Sequence, residues 1–377
     1  MTFLCIGDTM MDVSVTINSE ISYGGDTRAK ISTQGGGAAA NVSVWLAEDK
    51  QDVFLNVRVG NDQPGDYLLR ELSIHGVKNS AKKQIGEATG VVVVLVDKNG
   101  ERTMFPDSGA NSGLSLKDLP DLNQFKAAYF SGYALVNPIS RVNAVEILKT
   151  LSIPVVIDPG TVGALRNIPL AEVKSWLGLA SVLILNEEEA KFISEKSDVN
   201  DALIELKKIV NTVVIKLGGK GAIAIDDQIC EVEIKREEPV DTTGAGDAFA
   251  AGFISYWFAN HDLKDAINHG AELARDARQI GTAVKEGQRE LSAIAILVAL
   301  TVLREGAESV LFLHGMATGG NSSVTDIIGG GALGLAGGTA IGMIMYLGLM
   351  RIPLRWFFSV TGTLLVLLAA GLSGQMA

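Results

Sequence analysis

Four short apolar runs alternate with helical segments in the middle of the chain, and this alternation constrains the fold more than any other feature. The runs occupy residues 127–130, 155–158, 182–185 and 213–216. Uninterrupted apolar runs of this length are typical of parallel strands that are buried on both faces. Segments 141–151 and 199–210 have the length and spacing of helices. The pattern predicts an α/β fold with a doubly wound sheet.

Polar or glycine-rich residues stand directly after these runs, where a parallel sheet collects its ligands. They are Asp158-Pro159-Gly160, Asn186-Glu187-Glu188-Glu189 and Gly218-Gly219-Lys220-Gly221. A further apolar run at 3–6 leads to Gly7-Asp8 in the same way. The sequence therefore predicts a ligand site at the carboxyl edge of the sheet.

The stretch 241–253 begins Asp-Thr-Thr-Gly-Ala-Gly-Asp and continues as an apolar helical pattern. Amides at a helix N-terminus lack intrahelical partners and lie at the positive end of the dipole, so Gly244, Ala245 and Gly246 predict an anion-binding loop. Asp247 falls in the first turn beside that loop. An anion hole next to a carboxylate suits phosphoryl transfer to a hydroxyl, whose proton the carboxylate accepts. Taken alone, the motif fits a capped surface helix equally well.

A second glycine loop, 35–37, precedes a helix that extends to about residue 47. Asn41 lies in the first turn of this helix, where its amide could bind a substrate hydroxyl. A short helix with glycines at its N-cap is the alternative.

Residues 91–97 and 102–106 flank Asn99-Gly100, which is a strong signal for a β-hairpin turn. We expect this hairpin to belong to a small β lid rather than to the main sheet.

Four motifs occur in the order found in ribokinase-like (PfkB) carbohydrate kinases, which the chain resembles over about residues 1–283. They are Gly-Gly…Ala-Asn at 35–41, Asn-x-x-Glu at 186–189, Lys-Leu-Gly-Gly at 216–219 and Asp-Thr-Thr-Gly-Ala-Gly-Asp at 241–247. The resemblance implies a ribokinase-like domain with a small β lid that phosphorylates a sugar or sugar-like hydroxyl with ATP. The substrate does not carry over, because members of the family phosphorylate ketohexoses, pentoses, keto-deoxy acids and nucleosides.

The same resemblance implies the residues that act on the acceptor. Asp247 would be the catalytic base, and the amides of Gly244, Ala245 and Gly246 would form the anion hole. The residues that would hold the substrate hydroxyls are Asp12, Gly36, Gly37 and Asn41.

The resemblance also implies the sites for nucleotide and cations. The residues that would border ATP are Lys216, Gly218, Gly219 and Gly221. Asn186 and Glu189 would organise Mg²⁺ through its water ligands. Asp241 and Thr243 match positions that bind a monovalent cation such as K⁺ in some relatives.

After residue 289 the chain becomes strongly apolar, since 290–377 carries only three basic and four acidic residues. Three segments, 291–313, 324–350 and 354–373, predict transmembrane helices, and the last two easily reach the ~20 apolar residues that a span needs. Glycines at 330, 334, 338 and 342 form a stripe that would allow close helix packing in lipid. A buried soluble helical bundle is the alternative for this domain.

Basic residues near the spans predict their orientation by the positive-inside rule. Lys285, Arg289, Arg351 and Arg355 fall on one side of a three-span topology, which is then cytoplasmic. We expect a multi-pass protein of the inner or plasma membrane, with a cytoplasmic kinase domain and with Ala377 outside.

Charge and cysteine usage limit the compartment and the partners. The net charge of −11 argues against a nucleic-acid partner. Cys5 and Cys230 lie far apart without metal-ligand spacing, which agrees with a reducing compartment. We expect a small sugar substrate and ATP as partners of the N-terminal domain, and the lipid bilayer as partner of the C-terminal segment.

The passage Arg304-Glu305-Gly306-Ala307-Glu308 interrupts the first predicted span. Each charge at mid-bilayer costs ~2.5–3.5 kcal/mol, so such a cluster indicates a function. Glu305 and Glu308 suit a hard cation, and the passage resembles the later half of FTR1-type iron permeases, which implies a site for Fe³⁺. Members of that family carry two Arg-Glu-x-x-Glu helices and this chain has one, so iron binding would need a second copy in a homo-oligomer.

Three hypotheses remain open at this point. The chain could be a working sugar kinase anchored by a partial permease segment. It could be an iron-handling membrane protein with a passenger kinase domain. The join at about 282–290 could also be an accident of gene rearrangement or assembly.

Overall fold

A nine-stranded sheet organises the part of the chain that the computed structural model describes, residues 2–98, 101–233 and 244–285. The strands, in chain order, are β1 (Thr2–Ile6), β2 (Met10–Thr16), β3 (Lys30–Gly36), β4 (Asp52–Asn56), β5 (Arg58–Gly60), β6 (Lys78–Asn79), β7 (Lys82–Gln84), β8 (Val91–Val96), β9 (Arg102–Asp107), β10 (Ala127–Ser131), β11 (Val155–Asp158), β12 (Val182–Asn186), β13 (Thr212–Lys216), β14 (Gly221–Ile225) and β15 (Ile229–Glu233). The helices are α1 (Ala38–Glu48), α2 (Gln63–Ile74), α3 (Tyr133–Val136), α4 (Arg141–Thr150), α5 (Val162–Leu165), α6 (Leu170–Leu177), α7 (Glu187–Ser194), α8 (Val199–Lys207), α9 (Ala245–Asn260) and α10 (Leu263–Lys285).

The order of strands in the main sheet is β15-β14-β13-β12-β11-β10-β1-β4-β6. The strands from β13 to β6 are parallel, and β14 and β15 add an antiparallel edge. The four apolar runs of the sequence are β10 to β13, and they lie side by side at the centre. The predicted α/β sheet is therefore confirmed.

Both faces of the sheet are buried, because alternate residues of each central strand enter two different hydrophobic clusters. In β1, Phe3 and Cys5 join a cluster with α1, α9 and α10. Leu4 and Ile6 point the other way and pack with residues of α4, α6, α7 and α8. This explains why the strands lack the polar alternation of a half-exposed sheet.

A separate four-stranded sheet with the order β3-β2-β8-β9 forms the predicted small lid. Strands β8 and β9 pair as an antiparallel hairpin, whose predicted Asn99-Gly100 turn lies outside the described residues. The expectation of a loop through Gly35 and Gly36 is wrong, because both residues end β3 and pair with β2. Only Gly37 remains as the N-cap of the following helix.

The three predicted membrane spans lie outside the described residues. Across 2–98, 101–233 and 244–285, no helix combines the length and the apolar character needed to cross a bilayer.

Helices α9 and α10 cross at closest approach where two glycines meet. A Cβ on Gly252 would lie 2.9 Å from the Cα of Gly270, and one on Gly270 would lie 2.8 Å from the carbonyl oxygen of Phe249. Both contacts are with backbone, which cannot rotate away. The close crossing therefore requires glycine, which has no side chain, at positions 252 and 270.

We predict that Gly252→Ala lowers the free energy of unfolding by up to about 2 kcal/mol. Alanine normally favours a helix by about 1 kcal/mol over glycine, but overpacking against fixed backbone costs about 1–3 kcal/mol. Urea unfolding measures the change. Gly163→Ala in α5 is the matched control, because a Cβ there meets nothing nearer than 3.8 Å. An alanine at 252 that stabilised the protein as much as one at 163 would contradict the packing argument.

Candidate active site

Polar side chains stand at the carboxyl ends of five neighbouring parallel strands. They are Asp8 after β1, Ser131 on β10, Asp158 on β11, Asn186 on β12 and Lys216 on β13. The parallel register places Ser131 opposite Asp158 and Asn186 opposite Lys216. A parallel sheet therefore gathers at one edge residues that are far apart in the sequence.

Asp8 joins the sheet edge to the start of α1. Its Oδ1 accepts a hydrogen bond from the Ser131 hydroxyl at 2.7 Å, and its Oδ2 accepts one from the Ala38 amide at 3.0 Å. Its backbone carbonyl accepts from the Ala40 amide. Burial raises the pKa of the carboxyl, and these hydrogen bonds oppose the rise. Asp8 thus places the N-terminus of α1, and Asn41 with it.

The start of α9 has the backbone geometry on which the prediction of an anion-binding loop rests. Gly244 caps the helix at φ +76°, a left-handed conformation that suits glycine. The first helical hydrogen bond runs from the Ala248 amide to the Gly244 carbonyl. The amides of Ala245, Gly246 and Asp247 precede that bond and are the donors that a helix start offers to an anion.

Asp247 lies in the first turn of α9 and contacts Asn41. The Asn41 Nδ2 donates to Asp247 Oδ2 at 2.8 Å. Burial raises the pKa of Asp247 to about 7; the Asn41 hydrogen bond lowers it and the charge of Asp158 raises it. A carboxyl with a pKa near neutrality is well matched to accept a proton from a hydroxyl at physiological pH.

Lys216 supplies positive charge beside the anion loop. Its Nζ pairs with Asp158 Oδ2 at 2.8 Å, and both side chains are at most 16% exposed. A Cβ on Gly246 would lie 3.5 Å from the same ammonium, so the loop and the lysine are neighbours. Burial lowers the pKa of Lys216, but the charges of Asp158 and Glu189 raise it by more. The pKa therefore lies above its usual value, and the lysine stays charged.

Asn186 and Glu189 form a reciprocal cap at the start of α7. The Glu189 amide donates to Asn186 Oδ1, while the backbone amide and the Nδ2 of Asn186 donate to the two carboxylate oxygens of Glu189. Burial, followed by the charge of Asp158, raises the pKa of Glu189 to about 8. The sequence motif is therefore also a structural cap, which holds the carboxylate in one orientation.

The donors at this edge fit Mg²⁺ held through water. Mg²⁺ prefers oxygen ligands and usually keeps several waters, with one or two carboxylates and the substrate phosphates. The charge of Asp158 raises the pKa of both Glu189 and Asp247, which indicates an excess of negative charge that a divalent cation would relieve. Among the described residues, no group of three or more His, Cys, Asp or Glu side chains forms a direct metal cage.

Asp12 and the glycines that were predicted to bind substrate lie at the end of the lid strands, before α1. A Cβ on Gly36 would lie within 2.5 Å of the Asp12 carboxyl, so the glycine makes room for it. Burial and the charge of Asp8 raise the pKa of Asp12 to about 6. Gly37 has φ +96°, and a Cβ there would lie 2.7 Å from the Asp8 carbonyl oxygen. Gly37 therefore permits the tight turn from the lid into α1.

The glycines after β13 differ in their surroundings. Gly218 has φ +62°, and among the described residues no atom lies within 4 Å of a Cβ on Gly218 or Gly219. The described part of the chain therefore leaves space beside both glycines. At Gly221 a Cβ would lie 1.8 Å from the Val232 carbonyl oxygen, so this glycine serves the pairing of β14 with β15.

Three residues of the site carried no individual role in the sequence analysis, namely Asp8, Ser131 and Asp158. The sequence indicated the positions of two of them, since Asp8 and Asp158 stand at or just after the ends of apolar runs. Ser131 had no signal of its own. Four other candidates, Asp241, Thr243, Glu305 and Glu308, lie outside the described residues.

Two family descriptions match the chain. The pfkB family carbohydrate kinase description matches residues 2–282, and the Iron permease FTR1 family description matches residues 206–377. The two matches overlap at 206–282. The described residues in that overlap belong to the fold from the end of α8 to α10.

Curated proteins similar to this chain are sugar kinases. A ribokinase from Staphylococcus aureus is 27% identical over 280 residues, covering 70% of this chain and 89% of that protein. A fructokinase from Klebsiella pneumoniae is 32% identical over 253 residues, covering 64% of this chain and 81% of that protein.

Solved structures support the same fold. A fructokinase from Vibrio cholerae O395, in a form with bound fructose, ADP and calcium ion, has a TM-score of 0.61 at 26% identity and covers 72% of this chain and 90% of that one. An adenosine kinase from Sinorhizobium meliloti has a TM-score of 0.64 at 23% identity, with 72% and 92% covered.

We predict that Asp247→Asn stabilises the fold at pH 8 more than at pH 5, by on the order of 1–3 kcal/mol. The pKa of Asp247 is raised from 3.8 to about 7 in the fold. Between these values the folded chain keeps a proton that the unfolded chain has lost, so stability falls as the pH rises. Asparagine does not ionise, so the variant does not lose this stability as the pH rises. Urea unfolding at both pH values measures it.

The exposed Asp26→Asn is the control, and it should change stability equally at the two pH values. An Asp247→Asn variant whose effect is the same at pH 5 and pH 8 would contradict the raised pKa.

Proposed function

Because the chain belongs to the pfkB family of carbohydrate kinases over residues 2–282, we propose that Asp247 is the base with which it transfers the γ-phosphate of ATP to a sugar hydroxyl. One observation carries the proposal: the buried Asp247 carboxyl lies in the first turn of α9, beside the amides that precede the first helical hydrogen bond, and burial raises its pKa to about 7. The kinase domain extends over residues 1–283.

Asp247 accepts the proton of the acceptor hydroxyl as the hydroxyl oxygen attacks the γ-phosphorus, and the bond from that phosphorus to the bridging oxygen breaks so that ADP leaves. The donor Asn41 occupies Asp247 Oδ2, which leaves Oδ1 for the hydroxyl. Because the same hydrogen bond fixes the plane of the carboxylate, it also aims Oδ1 toward the acceptor. General-base catalysis of this kind contributes about 10²–10⁴-fold.

The start of α9 and Lys216 stabilise the charge on the transferred phosphoryl group. The amides of Ala245 and Gly246 donate to its oxygens, and the Lys216 ammonium beside Gly246 adds a full charge. Preorganised donors of this kind need no rearrangement during the reaction. Asp158 holds the lysine in place.

The phosphates of ATP extend from this loop toward the open space at Gly218 and Gly219. Asn186 and Glu189 would hold Mg²⁺ through its waters, and the metal would neutralise charge on the phosphates. A cation at Asp241 and Thr243 stays a prediction, because these residues lie outside the described ranges.

The acceptor is a small polyhydroxylated molecule held by Asp12, Asn41 and the backbone at Gly36 and Gly37. The partly buried Asp12 carboxylate suits a pair of hydroxyl donors, because it can accept from both. The similar curated proteins act on different sugars by name, including ribokinase and fructokinase, so the proposal stops at the class.

We predict that Asp247→Asn lowers kcat by about 10²–10⁴-fold, because the amide cannot accept the proton. In the wild type, kcat/KM should fall as the pH drops below about 7, where Asp247 becomes protonated. ADP release with Mg-ATP and a panel of sugars, keto acids and nucleosides measures both. Asp26→Asn should retain full activity. Near wild-type turnover of Asp247→Asn on the true acceptor would refute the assigned role.

We propose further that residues 290–377 are a membrane domain with three spans. The match to the iron permease family supports this assignment, as does the scarcity of charge in the segment. Glu305 and Glu308 would then lie within the bilayer and could bind Fe³⁺ as cargo, with a second copy supplying the remaining ligands. Iron transport is the alternative function of the chain, with the kinase domain as a passenger.

A reporter fused after Ala377 should face the outside, and one inserted in the 351–355 turn should face the cytoplasm. The reason is the positive-inside rule applied to Lys285, Arg289, Arg351 and Arg355. Alkaline phosphatase and green fluorescent protein fusions measure the two locations. Reporters on the same side would rule out three spans. Iron uptake that survives Glu305→Ala/Glu308→Ala would rule out the carboxylate site.

A further inference from the structure

A second polar contact joins the two helices that carry Asn41 and Asp247. Near its middle, α9 carries Ser255, whose hydroxyl donates to Oδ2 of Asp49 at the C-terminal end of α1. Asn41 and Asp49 are separated by eight residues in one helix, and Asp247 and Ser255 by eight in the other. The two contacts therefore form two rungs between parallel helices, about 12 Å apart along the axis.

Asp49 also reaches a third helix. The Nε2 of His269 on α10 lies 3.0 Å from Asp49 Oδ2 and 3.1 Å from Oδ1. The Glu272 carboxylate lies 3.8 Å from the other ring nitrogen, and the Tyr256 ring packs beside the imidazole. The Asp49 carboxylate is thus the common acceptor for α9 and α10.

The close crossing of α9 and α10 brings His269 within reach. His269 precedes Gly270, and the glycine pair of this crossing allows the two backbones to touch. The carbonyl oxygen of His269 would itself lie 2.9 Å from a Cβ on Gly252. The packing of the glycines and the polar contact of Asp49 therefore support the same arrangement of three helices.

Helix stability alone does not account for Asp49. A negative side chain at a helix C-terminus interacts unfavourably with the dipole, and α1 has no basic residue in its last turn to compensate. Ser255 is only 4% exposed in a helix whose neighbouring residues are almost all apolar. Burying a hydroxyl there requires a partner, and Ser255 has two, the Gly252 carbonyl in its own helix and Asp49 Oδ2 on the neighbouring helix.

We propose, on the basis of the function proposed above, that Asp49 is a positioning residue that fixes the register of α1 against α9 and thereby the contact of Asn41 with Asp247. The apolar packing between α1 and α9 is non-directional, whereas two hydrogen bonds about 12 Å apart favour one register of the helices (~1.5 Å of sliding per residue). The contact of Asp49 with Ser255 lies outside the reaction site, but it controls the position of the base, Asp247.

Ser255→Ala tests the proposal, because it removes one hydroxyl and leaves the apolar packing. We expect kcat to fall by up to about 10²-fold, as a displacement of about 1 Å can cause. We also expect the acid limb of kcat/KM to move to higher pH, since the Asn41 hydrogen bond holds down the pKa of Asp247 against the burial and the Asp158 and Asp8 charges that raise it. The charge of Lys216, which also lowers the pKa of Asp247, is unchanged by the variant.

Two further variants separate positioning from a purely structural role. Asp49→Asn keeps an oxygen that accepts from Ser255, and it should retain most of kcat. Asp49→Ala should reproduce Ser255→Ala, and its half-buried position at a helix end makes it the second test if Ser255→Ala folds poorly. In an Asn41→Ala background, Ser255→Ala should shift the acid limb no further, because the bond that it acts through is already absent.

Ser43→Ala is the matched control. Ser43 is a buried serine on α1 between the two rungs, and its hydroxyl donates to the Ala39 carbonyl within the same helix. The variant should leave kcat and the acid limb unchanged. If Ser255→Ala lowered only the thermal midpoint, with the acid limb and kcat of the wild type, the positioning role would be overturned.

A crystal structure of Ser255→Ala distinguishes failure of this inference from failure of the proposed function. The separation of Asn41 Nδ2 and Asp247 Oδ2, 2.8 Å in the wild type, should lengthen beyond hydrogen-bond range. This readout does not depend on any activity. An unchanged separation would refute the positioning role of Asp49. If the separation lengthens but Asp247→Asn retains full activity, the positioning role stands and only the proposed function is refuted.

Discussion

The hydrogen bond from Asn41 to Asp247 joins the starts of two helices over the carboxyl edge of the sheet, and the candidate site is built around it. Asp8 places the start of α1 through the Ala38 amide, and Gly244 places the start of α9. The bond can form only if both helices begin at the right height above the strands. In the proposed function it therefore couples the residues that hold the acceptor to those that bind the phosphates.

The negative charge gathered at the site lowers the stability of the fold. Burial raises the pKa values of Asp8, Asp12, Glu189 and Asp247, so each of these carboxyls loses its proton at the expense of folding free energy. Lys216 offsets part of this repulsion by its contact with Asp158. Such local conflict between stability and charge is expected where a protein performs chemistry, because substrate and cations complete the electrostatic balance.

The sequence predicted the central site residues because their signals are local. Asp247 and the glycines at 244 and 246 belong to one motif, and Asn186 with Glu189 belongs to another. Gly36 was misplaced in a loop, because strand pairing with β2 is a long-range contact that its own neighbours do not reveal. Ser131 was missed for the same reason, since only its position opposite Asp158 gives it a role.

The sequence by itself determined the parallel sheet, the two glycine-led helix starts and the apolar character of residues 290–377, because periodicity and composition depend only on neighbouring residues. Tertiary structure decided which polar groups meet. The contact of Asn41 with Asp247 and that of Asp49 with Ser255 each join residues 206 positions apart. No local pattern encodes such a pairing, since it depends on how α1 and α9 are set side by side by the sheet beneath them and by the glycine crossing with α10.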